Sequence, residues 1–75
     1  MPKSIHQRFG ERVKDLRIAL PESQEAFADR CGIARSYISR VERGRANPSL
    51  TAIQVLADAL HVQPVELFMD PVKSR

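Results

Sequence analysis

Arg35, Ser36, Ser39, Arg40 and Arg43 lie within nine residues of one another, at the spacing that gathers side chains on one face of a helix. All five donate hydrogen bonds. An arginine on such a face can give a bidentate pair to guanine O6 and N7, and short serines let a helix approach base edges closely. Between them Ala34, Ile38 and Val41 recur at steps of four and three and are expected to face inward. Charge alone would also admit a solvated surface. The pattern around it argues for an element that enters the major groove of DNA. No catalytic constellation competes with this reading. The chain has no Gly-rich phosphate loop, no paired His/Cys set and no nucleophile beside a base.

The basic face needs a partner helix to aim it. Ser23 is a good N-cap, so a helix is expected from Gln24, with Phe27, Ala28 and Cys31 on its buried side. Gly32 then breaks the pattern, as a residue free to take positive φ does. The second helix of the pair follows from about residue 34 and ends at Gly44. Two short helices across a tight turn, the second one basic, form a helix-turn-helix.

Ala28, Gly32 and Ile38, with Ser23-Gln24-Glu25, the run Tyr37 to Gly44, Pro48-Ser49-Leu50 and Leu56 to Leu60, resemble the phage-repressor-like family (lambda repressor and Cro, XRE-type). The resemblance covers roughly residues 5 to 69, and the chain's size is similar to that of restriction–modification controller proteins. It implies an all-α, five-helix lambda-repressor-like DNA-binding domain with helices at about 5–19, 24–30, 34–43, 49–60 and 64–69. It also implies that Gln24 binds a phosphate and that Arg17 and Glu42 form a largely buried, structural ion pair. Pro21 and Glu22 depart from the family's usual Gly and apolar residue, so the turn there is expected to differ locally. His61 stands where the family often has a helix-ending Gly and is expected at positive φ.

The resemblance and the pattern together assign base contacts to Arg35, Ser36, Ser39 and Arg40. Arg43, Arg45, Asn47 and Ser49 are candidates for DNA-backbone contact. Tyr37 has two readings: its hydroxyl reaches a phosphate, or its ring covers the motif's flank. The free N–H groups at the start of the helix near Ser49 make an anion site, with Asn47 or Ser49 as its cap. Arg8, Arg12 and Lys14 lie off the apolar stripe of the first helix; they could touch the DNA backbone, but solvated surface is the expected reading for at least two of them.

That stripe is Ile5, Phe9, Val13, Leu16 and Leu20, and the fourth helix offers Leu50, Ile53, Leu56, Ala57 and Leu60. A chain of 75 residues, 43% hydrophobic, can close one small core from these. One cysteine excludes an internal disulfide, and packing is the expected role of a buried Cys31. No cofactor or metal is expected; His61 has only His6 as a companion histidine. No apolar run is long enough for a membrane span and no signal peptide is visible, so a cytoplasmic, nucleoid-associated protein of bacterial or phage origin is expected.

Net charge is +3, unevenly spread. Residues 30–45 carry five arginines and one acid, whereas residues 50–70 carry three acids and neither Lys nor Arg. The middle suits a polyanion and the end does not. Val65, Phe68 and Met69 in that stretch without Lys or Arg are expected to form a dimer interface; the alternative is that Phe68 and Met69 fold back over the first and fourth helices. Residues 1–4 and 71–75 are expected to be loose. The resulting expectation is a transcriptional regulator, not an enzyme. It would act as a homodimer on a palindromic double-stranded operator, with RNA polymerase a further candidate partner. The alternative is the antitoxin subunit of a toxin–antitoxin pair.

Overall fold

Three of the helices begin where a serine hydroxyl takes over an unsatisfied backbone donor. Ser4, Ser23 and Ser49 accept from the amides of Gln7, Ala26 and Ala52. The computed structural model describes residues 2–69, and Ser4 is tied down by a capping box with Gln7. The elements are α1 (Ile5–Ile18), α2 (Gln24–Cys31), α3 (Arg35–Glu42), α4 (Leu50–Leu60) and a 3-10 helix (Pro64–Phe68). The expectations for residues 1 and 71–75 lie outside the described residues.

The ends follow from local backbone chemistry. Gly32 (φ 70°) closes α2 in the left-handed region, and His61 (φ 62°) does the same for α4. For a residue with a Cβ that conformation costs about 1–2 kcal/mol, which packing of the flanking Leu60 and Val62 must offset. The last element is a 3-10 helix, not the α-helix of residues 64–69 expected from the sequence. Five residues opened by proline allow only one tight turn, and Met69 is already extended.

α1 packs on α3 and on the 3-10 helix, while α2 packs on α3 and α4. Phe27, Ile38, Leu56, Leu67, Val13 and Val41 are the largest fully buried side chains. Each contributes about 1.5–3 kcal/mol by leaving water. Three residues expected inside are exposed: Ile5 (58%), Leu50 (85%) and Ala34. Ile5 and Leu50 are the first residues of their helices and Ala34 is the cap of α3, so periodicity assigns them to a face that no neighbour covers. Cys31 is half-buried and packs against the core.

Two contacts set α1 against α3. The first is a bare backbone approach. A Cβ on Gly10 would lie 2.1 Å from the Val41 carbonyl oxygen and 3.1 Å from the Glu42 carbonyl. The second is the Arg17–Glu42 pair: Nε to Oε2 at 2.6 Å and Nη2 to Oε1 at 3.0 Å. The two side chains are only 11% and 4% exposed. Hydrogen bonding to Glu42 raises the Arg17 pKa further above its already high ordinary value.

Two outcomes follow. Helix propensity says Gly10→Ala should stabilise α1 by about 1 kcal/mol. The backbone clash reverses that sign: α1 must lift off α3 at a cost of about 1–3 kcal/mol, so thermal unfolding followed by circular dichroism should show a lower Tm. Arg17→Ala or Glu42→Ala strands a buried charge and should cost about 3–5 kcal/mol in denaturant unfolding.

Candidate nucleic-acid interface

α3 buries Ile38 and Val41 and turns Arg35, Ser36, Arg40 and Arg43 to solvent, with Ser39 half-buried between them. α2 supports α3 from behind through Phe27 and Ala28. No side chain caps α3, so its first turn is not crowded by a capping group. An open cleft of about 400 Å³ lies between Gln24, Arg35, Ser36 and Ser39. Arg35 Nε donates to Gln24 Oε1 at 3.2 Å, which steers that guanidinium along the cleft. Arg40 stands over the Tyr37 ring, 5.6 Å from its centroid, and Arg43 Nε donates to the Ser39 carbonyl. Tyr37 is half-buried and packs against the core.

Arg45 and Asn47 are exposed on the loop after α3. Ser49 is exposed too, but its hydroxyl oxygen is engaged in capping α4. Among the described residues, Arg35, Arg40, Arg43 and Arg45 have no carboxylate partner. Four uncompensated guanidiniums along one helix and its following loop leave a field that attracts polyanions.

Gln24 does more than sequence reasoning assigned to it. Its Nε2 donates to Glu42 Oε1 at 3.1 Å while its Oε1 accepts from Arg35. Glu42 can only accept, so it dictates which end of the Gln24 amide faces Arg35. The helix pattern alone contains no sign of this link, because it joins α2 to α3.

Other basic residues serve the scaffold. Arg30, counted with the basic run, is bonded to Glu22 by Nε and Nη2 (2.8 and 2.7 Å) and to the Ala59 carbonyl at 2.9 Å. That pairing holds the Glu22 carboxyl below the usual carboxylate range. Arg30 is therefore removed from the cationic face and anchors the turn before α2 to α4. Arg12 is half-buried and donates from Nε to the Glu66 carbonyl, tying the 3-10 helix to α1. Burial pushes the Cys31 thiol up, which keeps it protonated and unreactive. Among the described residues no group of three His, Cys, Asp or Glu could hold a metal ion, and no helix is long and apolar enough to cross a membrane.

At the far end of the chain Val65, Phe68 and Met69 are 64, 42 and 48% exposed. Phe68 also meets Phe9, with ring centroids 5.2 Å apart, so it is partly folded back over α1. Beside it Ile5, Phe9, Pro48 and Ile53 line an apolar cleft of about 110 Å³.

The helix-turn-helix family described as HTH_3 matches residues 13–67. Control protein C.BamHI of Bacillus amyloliquefaciens is 41% identical over 68 residues, which span 89% of this chain and 84% of that one. Among solved structures, the restriction–modification controller protein C.AhdI of Aeromonas hydrophila superposes with a TM-score of 0.79 at 48% identity, covering 83% of this chain and 94% of that one. A hypothetical transcription factor from Neisseria, NHTF, superposes at 0.84 with 34% identity, covering 89% and 75%. These relatives are regulators rather than enzymes. With its two-helix motif, its unpaired arginines and this match over most of its length, the chain belongs to the HTH_3 helix-turn-helix family of DNA-binding transcriptional regulators.

Proposed function

We propose that the protein is a controller-type regulator that reads a two-fold symmetric DNA operator as a homodimer. The observation that carries this is the face of α3, where Arg35, Ser36 and Ser39 line one open cleft, Arg40 is exposed on the same helix, and no carboxylate among the described residues neutralises the arginines. α3 lies in the major groove. Arg35 and Arg40 read base edges, and Ser36 and Ser39 approach them closely. Gln24, Arg43, Arg45 and Asn47 hold the flanking backbone, Ser49 adds the N-terminus of α4, and Tyr37 contributes mainly by supporting Arg40. Resemblance to C.BamHI and C.AhdI supports a role in controlling a restriction–modification system. RNA polymerase is the further partner such a role would engage. No observation favours the antitoxin reading.

One module touches too few base pairs to specify a site, and pairing two makes the second contact nearly intramolecular. Val65, Phe68 and Met69 supply the interface. They are exposed, apolar and set in a stretch free of Lys and Arg, so no like positive charges meet there.

Arg35→Ala and Arg40→Ala should each lose about 1–3 kcal/mol for an operator selected from a random duplex pool, and should relax base preference. Variants that keep full discrimination would remove α3 from the groove. Met69→Asp should give a helical monomer with steeply weakened operator binding; sedimentation at micromolar concentration, with a monomeric wild type or a dimeric variant, would overturn the dimer.

A further inference from the structure

A second open cleft, of about 330 Å³, adjoins the first. It is lined by Lys14, Arg17, Gln24, Ser39, Glu42 and Arg43. Gln24 and Ser39 belong to both clefts and form the wall between them. From this we propose that the cleft is a seat for one backbone phosphate of the bound duplex, and that Lys14 of α1 is a DNA-contacting residue. The proposal rests on the reading that α3 enters the major groove.

The electrostatics of the cleft favour an anion. Its only carboxylate, Glu42, is saturated by Arg17 from two sides and by Gln24 from a third. Arg17 and Glu42 therefore cancel and form a neutral floor. On the rim Lys14 and Arg43 are both exposed and neither has a carboxylate partner among the described residues. The acid one turn before Lys14 on its own helix, Glu11, is bonded to Lys3. Two cations thus face one groove over a neutral base. The wall adds neutral donors: the Gln24 amide keeps a second N–H beyond the one given to Glu42, and Ser39 carries a hydroxyl.

The position fits a phosphate rather than a base. The cleft is separated from the base-reading cleft by the width of two side chains, and its far side is α1, which stands behind the motif. An ammonium on a flexible stem suits a phosphate as a point charge, whereas base readout uses planar donors. Lys14 lies three residues before Arg17, so the helix period already puts it on the face that meets α3.

Salt dependence of binding tests this directly. Affinity for the selected operator and for an unrelated duplex is measured from about 50 to 200 mM salt for the full chain. Lys14→Ala should reduce the slope of log K against log salt by about 0.9 per protomer, or about 1.8 for a dimer on two half-sites. Both duplexes should be affected alike, with base preference kept, and Lys14→Arg should restore the slope. Replacing single phosphates by methylphosphonate should reveal one position per half-site that weakens the wild type but not Lys14→Ala. A Lys14→Ala variant with the wild-type slope, or with no such position, overturns the seat and leaves base reading by α3 intact. If Lys14→Ala loses the slope while Arg35→Ala and Arg40→Ala keep full discrimination, the seat stands and the base-reading assignment falls. A wild type that binds no duplex at all sinks both.

Discussion

Glu42 is the only buried charged residue among those described, and the arrangement of the helices depends on satisfying it. A carboxylate removed from water must have its oxygens filled, or it would be expelled or protonated. Arg17 supplies two donors from α1 and Gln24 a third from α2. Because Glu42 itself ends α3, a single carboxylate fixes the positions of three helices. No buried side-chain nitrogen or oxygen among the described residues lacks a partner, so this polar centre sits in the core without leaving a defect.

The same constraint reaches the surface. Gln24 transmits the demands of Glu42 outward, presenting its carbonyl to Arg35. A long, flexible side chain on the face of α3 is thereby held in one orientation. The charge distribution works to the same end. Arg30 and Arg12 are spent on carbonyls and on Glu22 within the scaffold's own hydrogen bonding. Among the described residues, Arg35, Arg40, Arg43 and Arg45, on α3 and the loop after it, have no carboxylate partner. A modest net charge of +3 therefore understates the field on one side of the molecule.

Close approach of backbone to backbone makes this geometry possible. Gly10 lets α1 rest on the last turn of α3, and Gly44, at φ 73° with Gln7 within 2.9 Å of a would-be Cβ, lets the chain leave α3 beneath the start of α1. The two glycines lie at opposite ends of one contact. With a side chain at either position α1 would have to stand farther off α3.

Much of this was legible in the sequence by itself. Helices of about the right length, the Ser23 cap and Gly32 in the turn follow from local chemistry, which acts between residues a few positions apart, whereas the Ser4 cap was not foreseen and the left-handed His61 came from family resemblance. The arginine face of α3 follows from the period of 3.6, since a helix must put residues 35, 36, 39, 40 and 43 together wherever it packs. The Arg17–Glu42 pair came from family resemblance, not from spacing. Only the tertiary structure decided that Ile5 and Leu50 are uncovered, that Arg30 and Arg12 donate to carbonyls of other elements, that Gln24 joins Glu42 to Arg35, and that Lys14 borders a cleft with Arg43. Each of these depends on where a second element ends or how closely it approaches. Periodicity gives the direction a side chain leaves its own helix, but it carries no information about what stands opposite.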